Sequence, residues 1–137
     1  MRQFLALPLC LCLLSALPAH AQDITLHGQH LFVTDRDGNP EVYAMDPDGA
    51  NPVRLTNNAA NESKPAWSPT GEQILFATDR DGNSEIYVAD ADGANPVNLT
   101  NNAATDSSPA WSPTGSRIVF ETNRDGNNEI YAMDPDG

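Results

Sequence analysis

Gln73-Ile74-Leu75-Phe76-Ala77-Thr78-Asp79-Arg80-Asp81-Gly82-Asn83-Ser84-Glu85-Ile86-Tyr87-Val88-Ala89 is two runs rich in β-branched and aromatic residues joined by a short polar segment. Asx side chains bond their own backbone and Gly82 tolerates positive φ, so the stretch spells strand, tight turn, strand. The same hairpin is written three times. Thr34-Asp35-Arg36-Asp37-Gly38-Asn39 returns as Thr78-Asp79-Arg80-Asp81-Gly82-Asn83 and as Thr122-Asn123-Arg124-Asp125-Gly126-Asn127, an unbroken spacing of 44 residues. Phe32, Phe76 and Phe120 keep that register, as do Tyr43, Tyr87 and Tyr131. A period of this length marks a repeat architecture.

Outward from the hairpin, residues 64–68 supply a first strand ahead of the Pro69-Thr70-Gly71 turn, and residues 96–100 a fourth strand after the turn at 90–95. Residues 101–108 are a polar link that lands on Pro109-Ala110-Trp111-Ser112, the first strand of the next unit. Four short antiparallel strands per period, then a link to an identical set, is the pattern of radially packed propeller sheets. Pro and Gly recur too often for a helix, and a coil of a flat β-solenoid is shorter than this period. The expected fold is all-β: a partial β-propeller of four-stranded antiparallel blades, a portion of a ring of about six to eight. Trp67 and Trp111 are expected in the wedge between neighbouring blades, each with a backbone acceptor for its indole N–H. Phe76 and Phe120 belong on second strands and Tyr87 and Tyr131 on third strands, completing a core that exists only when blades stack.

Ahead of the repeats, Arg2, the apolar run from Phe4 to Leu17 and Ala19-His20-Ala21 form a secretory signal peptide, residues 1–21. Residues 22–28 are a short lead-in with at most a weak partial strand at 23–26, and residues 29–137 are tandem blades, the last incomplete. Cys10 and Cys12 fall in the leader, so no disulfide framework remains. The formal net charge is −12, with all 19 acidic residues after the leader. Such a surface repels nucleic acid and anionic membranes, and the mature chain contains no membrane span. No Gly-x-Ser-x-Gly elbow is present, and His27 with His30 falls short of a zinc ligand set. The expectation is therefore a chain without catalytic residues, metal or cofactor.

The repeated turns are the candidate binding face: Asp35, Asp37 and Asn39; Asp79, Asp81 and Asn83; Asn123, Asp125 and Asn127. Equivalent acidic and amide groups in a row suit a protein or peptide, with charge steering the encounter. Alternating oxygen side chains leave calcium as an alternative, but the turns lack the length of an EF-hand loop and are read as structural hairpin turns. Arg36, Arg80 and Arg124 are expected to neutralise the turn carboxylates by internal ion pairs. Open outer blades also point to self-association.

Asn57-Asn58, then Pro65-Ala66-Trp67-Ser68-Pro69-Thr70-Gly71, Ile74-Leu75-Phe76, Asp79-Arg80-Asp81-Gly82-Asn83 and Glu85-Ile86-Tyr87 resemble the WD40-like PD40 repeat of the TolB family. Thr70 and Thr114 stand where that family more often has Asp. The resemblance covers residues 29–137. It implies a propeller scaffold in the periplasm, or secreted, that binds a protein or peptide partner of the cell envelope without catalysis. In the family a six-bladed ring follows an N-terminal α/β domain and binds a peptidoglycan-associated lipoprotein, and no such N-terminal domain precedes the first blade here. The same repeat also implies two alternatives: the accessory propeller of a prolyl oligopeptidase-like peptidase whose catalytic domain lies elsewhere, and a calcium-stabilised structural repeat protein.

Overall fold

The computed structural model describes residues 28–137. The signal peptide, the weak strand at 23–26 and His27 lie outside these residues. Ten strands follow in order: β1 (His30–Thr34), β2 (Glu41–Met45), β3 (Val53–Arg54), β4 (Glu62–Trp67), β5 (Gln73–Thr78), β6 (Glu85–Asp90), β7 (Val97–Asn98), β8 (Asp106–Trp111), β9 (Ile118–Thr122) and β10 (Glu129–Met133). They form three antiparallel sheets, ordered β1-β2-β3, β4-β5-β6-β7 and β8-β9-β10. The middle sheet is the complete four-stranded blade expected over residues 64–100. Among the described residues there is no helix, and none long and apolar enough to cross a membrane.

Each hairpin turn closes as its sequence dictates. Gly38, Gly82 and Gly126 donate their N–H to the carbonyls of Asp35, Asp79 and Asn123, at 2.9, 3.0 and 2.9 Å. The first strands begin earlier than expected, however. β4 starts at Glu62 rather than at residue 64, and β8 starts at Asp106, inside the stretch assigned to a polar link. The cause is a bulge: pairing runs Glu62↔Thr78 and Ser63↔Ala77, breaks, and resumes at Ala66↔Leu75, with the same break between Ser107 and Ala110. Pro65 and Pro109 have no N–H for the ladder, and Lys64 and Ser108 take φ of 51° and 54° to absorb the extra residues. The outermost strands β3 and β7 are only two residues long.

Stacking supplies the core. Side chains alternate across β5, so Ile74 and Phe76 pack towards the first sheet, with Val42, Leu31, Leu55 and Trp67, while Leu75 and Ala77 pack towards the third, with Ile118 and Phe120. Burying each large side chain in these layers contributes about 1.5–3 kcal/mol. Phe76 is fully enclosed and Phe120 nearly so, while Tyr87 is buried and Tyr131 half-buried. Trp67 and Trp111 are half-buried rather than enclosed. The Trp67 indole donates to the Gln29 carbonyl across the first seam at 3.0 Å, as expected, whereas the buried indole nitrogen of Trp111 has no partner. Gln29 precedes β1 and its carbonyl is free for the purpose; its counterpart Gln73 lies within β5 and gives its carbonyl to the Ser68 N–H. Beyond the third sheet, Val119 and Ile130 are exposed, Ile130 to 73%.

Candidate functional site

The three turns connect β1 to β2, β5 to β6 and β9 to β10, so the repeat sets them at the same end of successive sheets. Their side chains divide the work identically each time. The arginine folds back over the aromatic pair of its own hairpin: the Arg80 guanidinium carbon lies 5.5 Å from the Phe76 ring and 4.5 Å from Tyr87, with near-equal distances for Arg36 and Arg124. A cation over aromatic faces adds about 0.5–2 kcal/mol.

The expected ion pairs inside each turn are not what forms. Arg80 reaches the buried Glu62 at 2.9 Å, and Arg124 reaches the buried Asp106 at 3.2 Å, each at the start of its sheet's first strand. The turn carboxylate is instead taken by tyrosine: the Tyr43, Tyr87 and Tyr131 hydroxyls donate to Asp37, Asp81 and Asp125. The reason is geometric. The arginine sits over the rings, which carries its guanidinium away from the turn, while the tyrosine hydroxyl reaches the turn carboxylate. These contacts raise the tyrosine pKa values, through the Asp37 and Asp125 hydrogen bonds at Tyr43 and Tyr131, and through burial and then Asp81 at Tyr87.

Asparagine at the turn's last position stitches neighbouring sheets. Asn83 donates to Glu85 at 2.6 Å and to the carbonyls of Asn102 and Ala104 in the link to the next sheet; Asn39 likewise meets Glu41 and the Ala60 carbonyl. Asn127 donates to Glu129 at 2.9 Å. The first turn position holds the end of the preceding link: Asp79 accepts from the Asn61 N–H at 2.8 Å and its side-chain amide at 2.9 Å, and Asn123 accepts from the Thr105 N–H at 2.9 Å. Those donors hold the Asp79 carboxyl below its usual range, the backbone N–H first.

All nine predicted turn residues thus sit at one end, and Asp35, Asp37, Asp79, Asp81, Asn123, Asp125 and Asn127 are exposed there while Asn39 and Asn83 are half-buried. Glu41 and Glu85, which end the alternating run of oxygen side chains in two of the turns, are buried rather than presented, and the buried Glu62 and Asp106 are not among the predicted site residues. Their signal was available, because Glu41 recurs as Glu85 and Glu62 as Asp106 at the repeat spacing. A cavity of about 170 Å³ opens at the first seam, lined by Leu55, Thr56, Asn58, Phe76 and Arg80 among others. His30 is exposed, and among the described residues no three His, Cys, Asp or Glu converge on a metal position.

The family model described as the TolB beta propeller domain, PD40, matches residues 27–96 and 56–137. The TolB homolog protein of Chlorobaculum tepidum is 48% identical over 44 residues, 32% of this chain and 10% of that protein. The structure of putative TolB from Agrobacterium tumefaciens superposes with a TM-score of 0.73 at 28% identity, covering 80% of this chain and 42% of the other. TolB from Acinetobacter baumannii gives a TM-score of 0.70 at 27% identity, over 78% and 27% of the two chains. The matched stretch spans about a tenth of the length of these curated relatives.

Proposed function

Because the chain belongs to the TolB β-propeller domain family, we propose that it is a non-catalytic protein-interaction module of the periplasm, with a protein or peptide of the cell envelope as its partner. The observation that carries this reading is the row of turn carboxylates. Asp37, Asp81 and Asp125 are exposed yet each is fixed by a tyrosine hydroxyl, so the acidic groups are presented without having to be ordered on binding. A partner that meets this face carries basic side chains, because opposite charge accelerates and orients the encounter. Asp35, Asp79 and the amides of Asn39, Asn83, Asn123 and Asn127 border the same row. The exposed outer face of the third sheet, with Val119 and Ile130, adds self-association as a second contact of this module.

The chain supplies its own test substitution. Asn123 occupies the place of Asp35 and Asp79 and still accepts a backbone N–H, so Asp35→Asn and Asp79→Asn remove charge and keep the acceptor. Both proteins are used to capture partners from envelope extract, captured species are identified by mass spectrometry, and their affinities are measured over a salt series. A specific envelope partner held less tightly by the double variant, with a shallower salt dependence and native circular dichroism, supports the reading. Equal capture by both proteins removes Asp35 and Asp79 from the interface, and equal capture by Asp37→Asn with Asp81→Asn removes the row itself.

A further inference from the structure

The repeat exposes one seam that differs chemically from its copy. Between the second and third sheets, Glu85 accepts from the Thr100 hydroxyl, the Asn83 amide and the Asn102 N–H, while both oxygens of Asp106 accept from Arg124 and its Oδ2 also from the Asn102 amide. Between the first and second sheets the equivalents are Glu41 and Glu62, both fully buried. Oε1 of Glu41 accepts from Arg54 at 2.8 Å, the Asn58 N–H at 2.9 Å and the Asn39 amide at 3.1 Å. Oε1 of Glu62 accepts from the Asn58 amide at 2.8 Å, Arg80 at 2.9 Å and the Thr78 hydroxyl at 3.0 Å. Asn58 therefore clasps both carboxyls, by its backbone and by its side chain. Oε2 of each is buried with no donor in hydrogen-bonding geometry. Glu62 is one methylene longer than Asp106, and the two glutamates lie side by side on Asn58, each acting on the pKa of the other.

Two buried carboxylates clasped by one asparagine, each with a bare oxygen, carry a desolvation penalty and repel one another. A single proton between them removes the repulsion and one of the two desolvation penalties, with Glu62 as the acid and Glu41 as the carboxylate. We propose that Glu41 and Glu62 share one proton and that this acid–carboxylate pair is a pH-sensitive latch between the first and second sheets. The charged groups facing it are Arg54 from β3, against Glu41, Arg80 from the β5–β6 turn, against Glu62, and Asp37, which shares Arg54 at 3.5 Å. Burial pushes the Glu62 pKa up. Burial acts the same way on Glu41, but the Thr56 hydroxyl, the Asn58 N–H, Arg54 and Glu62 around it outweigh that and hold the group at about 2.

The two directions define a window. Glu62, raised on folding, contributes stability that is present below its unfolded value of about 4.3 and is lost as pH rises through its folded value. Glu41, depressed on folding, contributes stability that is present above its unfolded value and is lost as pH falls towards about 2. The seam is tightest where one carboxyl is protonated and the other is not.

The test is a carbon-13 NMR titration of the full chain labelled at glutamate carboxyls, with assignments from Glu41→Gln and Glu62→Gln. One carboxyl of the pair should stay protonated above the ordinary carboxylate range while the other stays ionised below it. Two carboxyls that both titrate in the ordinary range, or are both ionised above it, overturn the proposal. Thermal unfolding against pH gives a second readout. Glu62→Gln keeps a donor towards Glu41 that cannot be titrated away, so the loss of Tm shown by the wild type on raising pH through the Glu62 transition should be absent in the variant. An identical decline in both proteins also overturns it, and if the variant does not fold, the wild-type titration decides.

Discussion

Replacing Ile86 and Ile130 by alanine, one at a time, compares two residues that occupy the same place in the repeat and differ only in what lies beside them. Ile86 on β6 is fully enclosed, in the layer formed with Leu75, Val88, Ile118 and Phe120, whereas Ile130 on β10 is 73% exposed. Removing the Ile86 side chain forfeits about 1.5–3 kcal/mol of transfer free energy. The cavity left between two sheets brings the expected cost to about 2–5 kcal/mol. At Ile130 little is removed from the interior, and the change should stay within about 0.5 kcal/mol. Urea unfolding followed by the fluorescence of Trp67 and Trp111, extrapolated linearly to water at low protein concentration, measures both. Equal costs would refute the reasoning. A large cost at Ile130 that grows with protein concentration would mean instead that the third sheet is covered by another copy in solution.

Three further outcomes follow from the same structure. Trp67→Phe should cost about 1 kcal/mol by losing the hydrogen bond to the Gln29 carbonyl, while Trp111→Phe removes an unpaired buried donor and should be neutral or stabilising in thermal denaturation. Gly82→Ala meets open space and should cost about 1–2 kcal/mol for its positive φ alone; Gly93→Ala drives a Cβ into the Leu55 carbonyl across the first seam and should cost clearly more in the same unfolding assay. Asp79, its pKa lowered chiefly by the Asn61 N–H, contributes stability that is present above its unfolded value of about 3.9 and is lost as pH falls through its folded value, so Asp79→Asn should flatten that part of an acid-unfolding profile.

Strand order, hairpin turns and the stacking of sheets were legible in residues 29–137 because each is a local or periodic property. Asp and Asn bond their own backbone, Gly accepts positive φ, β-branched and aromatic residues fill strands, and a fixed 44-residue spacing repeats the result. The early start of β4 and β8 was harder to see, since Pro65 and Pro109 mark a break in pairing without revealing that the ladder resumes on the far side of it. The sequence also located the turn residues as a set. It did not reveal their bonds, because the repeat places Arg80 beside Asp79 and Asp81 in the chain while the rings of Phe76 and Tyr87 carry its guanidinium to Glu62. What only the tertiary structure decided is the fate of equivalent residues: Ile86 is enclosed and Ile130 exposed, and the Trp67 indole finds a carbonyl across its seam while that of Trp111 has no partner. Burial and pairing depend on which sheet stands next to a residue, and a repeated sequence gives every copy the same letters but not the same neighbour.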